Sequence, residues 1–265
     1  MPNESVRVAD DRLTIISVSL LAYVTQDILH EGLGHGVVAW LSGARHLTLS
    51  TLALSSDIDT RLISAAGTIV NLIFAAVFWL LLRRGRKYSP ATRYFLVLAM
   101  AAGLFVGTGY FLFSGVTNFG DWAAVIRGLQ PYWAWRTGLV VSGILAYWAS
   151  MLIVASALKP FDTGNEPTRR IRALSWIPYI SEAVLAAVAG LFNPLGFFYV
   201  LSSGLASTAG ANAGLWGLPG IIRRKLAPAS EQVAPIRRSV GWIVAGAIAS
   251  AIFILVLGRG VSWNR

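Results

Sequence analysis

The 265 residues are 55% hydrophobic and only 13% charged, against about 25% charged in soluble globular domains. The apolar residues fall in long runs, which excludes an ordinary soluble domain and makes lipid the main solvent. The net charge of +10 sits in short stretches between those runs, so it reads as topology and headgroup contact, not nucleic-acid binding; the absence of cysteine excludes disulfides and thiolate metal sites.

A membrane-spanning helix needs roughly 20 apolar residues. The first run, 13–41, exceeds this, is too long for a signal-peptide core and lacks a small-residue cleavage site, so it reads as a retained helix. In the loop that follows, His46-Leu47-Thr48-Leu49-Ser50 alternates apolar and polar, and Leu52-Ala53-Leu54 resumes after a one-residue slip. That pattern predicts a short strand, or two strands with a bulge. Further runs cover 62–82, 93–113, 137–158, 174–192, 195–217 and 239–257. The sixth is interrupted by Gly204, Gly210, Gly214 and Gly217 and preceded by Asn193-Pro194, so a re-entrant segment is the alternative there. The expected fold is an all-α membrane protein of about seven transmembrane helices, with a strand-like segment after the first. Residues 1–265 form a single polytopic membrane domain.

Loop charge sets the expected orientation. With seven crossings, 16 of the 22 Lys and Arg fall on the side that holds 1–12, 83–93, 159–173 and 218–238, and six on the other. The positive-inside rule then places the N-terminus in the cytoplasm of a multi-pass protein of the cell membrane.

The residues with chemical potential cluster in the first helix: Asp27, His30, Glu31 and His35, in Gln26-Asp27-Ile28-Leu29-His30-Glu31-Gly32-Leu33-Gly34-His35-Gly36. Ionisable groups at membrane depth are costly and mark function or internal pairing. His-Glu followed by a second His is similar to the zinc motif H-E-x-x-H, in which two His four residues apart share a helix face and Glu activates water. Here the spacing is H-E-x-x-x-H. At about 100° per residue, five steps set the two imidazoles roughly 140° apart on an α-helix. A π-bulge would bring them together, and Gly32, Gly34 and Gly36 permit one. Two other arrangements fit the same residues: Glu31 and His35, four apart, as ligands, or a polar network without metal.

The stretch His30 to Ala39 resembles the zinc helix of the site-2 protease family of intramembrane metalloproteases, followed by a Gly-containing turn (Ser42-Gly43-Ala44-Arg45) and a strand-like segment. Ala65-Ala66-Gly67-Thr68-Ile69-Val70-Asn71 is similar to the family's small-Gly-Pro-x-x-Asn pattern, with Thr68 in place of Pro. Asn118-Phe119-Gly120-Asp121 stands where the family carries an Asp beside a Gly as third zinc ligand, in reversed order. These landmarks cover residues 26–122 and mark a divergent relative; 13–122 would be the metalloprotease-like core and 137–265 additional helices.

The resemblance implies Zn2+ held by His30, His35 and Asp121, with Glu31 as catalytic base and Asp27, Asn71 and Asn118 in support. It implies cleavage of a membrane-embedded peptide segment, so the partners would be the bilayer and a membrane-spanning protein substrate. Read without it, Asp121 is equally a helix N-cap, and Glu182 in the fifth run pairs with a loop Arg or lines a path. The rival functions are a non-catalytic relative with a degenerate site, a transporter or channel, and a lipid hydrolase. Site-2 proteases usually hold zinc nearer the cytoplasm, whereas the charge pattern here puts the cluster nearer the outside.

Overall fold

The computed structural model describes residues 9–85, 87–163, 167–193, 210–227, 229 and 231–264. Most of the sixth apolar run, 195–209, lies outside these. Among the described residues six helices are long and apolar enough to cross a membrane, at Arg12–Leu41, Arg61–Arg84, Pro90–Thr117, Tyr132–Phe161, Thr168–Gly190 and Val240–Leu257.

Local chemistry starts and stops these helices. Helix α1 (Arg12–Asp27) is capped by the Asp11 carboxylate, which accepts from the Thr14 N–H at 2.9 Å. It passes without a break into a π segment, Ile28–Gly36, and then into α2 (Val37–Leu41). Strands β1 (His46–Leu49) and β2 (Leu54–Ser56) follow. Thr60 caps α3 (Arg61–Arg84), and Ser89 caps α4 (Pro90–Thr117), whose first residue is the proline that favours that position. Asn118, left-handed at φ 57°, ends α4. The short α5 (Asp121–Ile126) precedes α6 (Tyr132–Leu158), α7 (Pro167–Gly190), α8 (Gly214–Lys225) and α9 (Val240–Ile252). A second π turn, Phe253–Leu257, leads to β3 (Val261–Asn264).

Helix α4 is central: it packs against α1, α3, α6 and α5, and its Tyr94, Met100 and Phe105 are fully buried. Around it Leu158, Phe161, Ile171, Leu174, Leu218 and Ile222 close one apolar core drawn from α4, α6, α7 and α8.

The two ends of the bundle are distinct. At one end Arg170 pairs with Asp10 at 2.8 Å, Asp10 accepts from the Ile236 N–H at 2.7 Å, Arg93 pairs with Glu231 at 2.6 Å, and the Val233 N–H donates to the Pro160 carbonyl at 2.8 Å. At the other end the three strands form an antiparallel sheet in the order β2-β1-β3, and the Thr51 N–H donates to the Leu257 carbonyl. The end of α7 packs there through Ala189 against Phe253 and Leu257. Among the described residues the chain is therefore at the sheet end near Ala189 and at the opposite end by Glu231.

The strand expectation is refined in two ways. The slip at 50–53 is a turn between two strands, in which Ser50 Oγ donates to the Ala53 carbonyl and the Ser50 N–H donates to the same atom. The sheet also gains β3 from the far end of the chain, with His46 opposite Asn264 and Leu49 opposite Val261. Strand β1 is consequently paired on both sides, and β2 and β3 are the edge strands.

Candidate metal centre

The π segment decides the geometry of the first helix. A π turn closes i→i+5 in place of i→i+4, so residues five apart stack on one face. The His30 and His35 rings lie 4.8 Å apart, centroid to centroid, and their Nε2 atoms are 3.2 Å apart. The mismatch expected for an α-helix is resolved by the wider turn the glycines permit.

Helix α3 supplies the floor. A Cβ added at Gly34 would lie 2.6 Å from the Gly67 Cα, and one added at Gly67 would lie 2.5 Å from His35 Nε2 and 2.7 Å from His30 Cε1. Only glycine at both positions lets the two helices approach closely enough for α3 to underlie the imidazoles.

Asp121 arrives from α5. Gly120, at φ 84°, turns the chain after Asn118, and Asp121 opens the helix. Its Oδ2 lies 3.3 Å from His30 Nε2 and 3.3 Å from His35 Nε2. The three ligand atoms thus form a triangle with sides of 3.2, 3.3 and 3.3 Å. A tetrahedral zinc ion with bonds of about 2.0–2.1 Å requires ligand–ligand edges of about 3.3–3.4 Å. Oδ2 is buried and accepts no hydrogen bond, an orphaned anionic oxygen pointed at two imidazole nitrogens. The residues present fit a metal ion: a buried group of His30, His35 and Asp121 with the right atoms at the right separation.

The surroundings orient the ligands. His35 Nδ1 lies 2.6 Å from the Ile63 carbonyl oxygen, which only accepts, so Nδ1 carries the proton and Nε2 presents its lone pair to the centre. His30 Nδ1 meets the side-chain amide of Asn71 at 2.9 Å. The Tyr110 ring lies against His30, with centroids 5.3 Å apart. Glu31 is buried beside the ligands without replacing one: Oε1 is 3.9 Å from His30 Nε2, and Oε2 accepts from the Leu54 N–H of β2 at 2.7 Å.

Of the supporting residues expected from sequence, Asn71 joins the site. Asp27 lies one turn before Glu31 and makes no hydrogen bond or ion pair to the three ligands. Asn118 is exposed, ends α4 and accepts a hydrogen bond from the Tyr132 hydroxyl. Among the described residues Glu182 shows no ion pair with a loop Arg: it is buried on α7 with Oε2 unpartnered.

Three features escaped sequence reasoning. The Leu54 N–H and the Ile63 carbonyl act through backbone, which no motif encodes. The third is Trp122, whose indole N–H donates to Thr68 Oγ1 at 3.0 Å. Thr68 is the residue that departs from the family pattern, and a residue following Asp121 is where a compensating contact would be sought. Comparison with family models, curated proteins and solved structures gives no match.

Proposed function

We propose that this protein is a zinc-dependent intramembrane peptidase that hydrolyses a membrane-embedded peptide segment. The observation that carries the reading is the triangle of His30 Nε2, His35 Nε2 and Asp121 Oδ2, with sides that match a zinc coordination tetrahedron and a carboxylate, Glu31, alongside. The π segment supports this over a non-catalytic relative with a degenerate site, because it brings both imidazoles together despite their five-residue spacing.

Zinc held by these three residues would supply Lewis acidity to the attacking water and the scissile carbonyl. Glu31 takes the proton from the attacking water and returns it to the leaving amine. His35 and His30 keep their Nε2 lone pairs inward, and Asp121 supplies one negative charge that would offset part of the cation's charge. Substrate must reach the site unwound, because helical peptide groups are already hydrogen-bonded. The open edge of β2 offers main-chain partners for such a strand. It lies beside the base, since the Leu54 N–H already meets Glu31. By the positive-inside rule the end holding Asp10, Arg93 and Arg170 faces the cytoplasm of a cell membrane.

Metal analysis of purified full-length protein tests the centre. About one zinc per chain is expected in the wild type and in Glu31→Gln, and a much lower content in His35→Ala. On a membrane-segment reporter, Glu31→Gln should lose about 10²–10⁴-fold in turnover. Wild-type protein without metal, or a Glu31→Gln variant that still cleaves, overturns the reading.

A further inference from the structure

A histidine that binds a metal through Nε2 must carry its proton on Nδ1 and donate it to something. For His35 the acceptor is the Ile63 carbonyl. His30 reaches a side chain instead, Asn71 on α3, and that pairing is mismatched as it stands. The amide nitrogen Nδ2 faces His30 Nδ1 at 2.9 Å, donor toward the atom that must itself donate, while Oδ1 is buried without any hydrogen-bond partner. Amide nitrogen and oxygen are interchangeable by a half-turn of the side chain. That half-turn brings Oδ1 to the same 2.9 Å position, where it faces His30 Nδ1 as an acceptor.

We propose that Asn71 is the positioning residue of His30: its amide oxygen accepts from Nδ1–H, fixes the tautomer that presents Nε2 to the metal, and thereby sets metal affinity. This rests on the zinc reading above. Asn71 is 1% exposed and one α3 turn beyond Gly67, so the helix that floors the site also orients one of its ligands. The role needs an acceptor and nothing else. An aspartate there serves it, forming a carboxylate–histidine–metal arrangement, whereas a leucine of similar size does not.

The test is zinc affinity, measured on the full chain in detergent by competition with a chromophoric chelator, alongside thermal unfolding of the metal-free protein. Asn71→Leu is expected to weaken zinc binding about 10–100-fold. Asn71→Asp is expected to bind at least as tightly as wild type. Should Asn71→Leu not fold, Asn71→Asp decides alone: weakened binding there overturns the proposal. Wild-type zinc affinity in Asn71→Leu, or an equal loss in both variants that tracks a fall in metal-free stability, also overturns it and identifies Asn71 as a packing residue. Those outcomes leave the zinc centre standing. Failure of the wild type to bind zinc removes the centre itself.

Discussion

His30, His35, Glu31 and Asp121 were legible as residues because their chemistry is carried by side chains in a recognisable order. What they lean on was not. The Ile63 carbonyl and the Leu54 N–H belong to every residue type, so no letter announces them. Thr68 lies between these cases. Its hydroxyl, fully buried, accepts from the Trp122 indole and so ties α3 to the first turn of α5, next to the Asp121 carboxylate. A proline at 68 would offer no such acceptor. Thr68→Val keeps the shape and removes the acceptor, leaving a largely buried N–H unpaired at a cost of about 1–3 kcal/mol. The expected outcome is a lower unfolding temperature together with weaker zinc binding, since Asp121 is the ligand nearest the lost contact. Unchanged affinity with lowered stability would show that Trp122 anchors α5 without positioning Asp121. Gly67→Ala probes the floor from the other side: its methyl would fall 2.5 Å from His35 Nε2, so metal content should drop although no ligand residue is replaced.

The π segment is where sequence rules gave a conflict and the fold resolved it. Five-residue spacing is incompatible with a shared α-helical face but suits a π turn, and the alternation of glycines from 32 to 36 was the readable sign. The sheet was only half readable. The alternation at 46–49 and the residues at 54–56 are local, whereas β3 lies more than 200 residues further on, and Val261-Ser262-Trp263-Asn264 has no local signal that names its partner. A π turn arises when one extra residue is accommodated in an α-helix, which gives a direct test. Deleting Leu33, whose side chain is 39% exposed, restores His-Glu-x-x-His spacing as His30-Glu31-Gly32-Gly34-His35. The variant should keep about one zinc per chain, because the α-helix then carries both imidazoles on one face and little buried surface is lost. Loss of zinc from a folded deletion variant would mean that the π turn sets more than the spacing of the two His.

At the scale of the whole molecule, the runs of apolar residues and the placement of basic residues anticipated the two-ended bundle. The pairings of Asp10 with Arg170 and of Arg93 with Glu231, and the Val233–Pro160 bond, gather the four basic stretches at one end. The sheet and Asp121 gather at the other. Relative sidedness thus follows from contacts, while absolute orientation rests on charge alone: the sequence assigns 16 of the 22 Lys and Arg to the first side and six to the second. Six of these charges would have to be held inside, and 16 exported, if the orientation were reversed. The chain has no cysteine, so single cysteines report without background. Lys87, exposed at the first end, and Trp133, 72% exposed at the second, are suitable positions. In intact cells a membrane-impermeant maleimide should label Trp133→Cys and leave Lys87→Cys unlabelled until the membrane is permeabilised. That result would place His30, His35 and Asp121 toward the outer face. The opposite labelling would put His30, His35 and Asp121 toward the cytoplasm, the arrangement usual in site-2 proteases, and would show that the basic stretches are held at the outer surface against the charge rule.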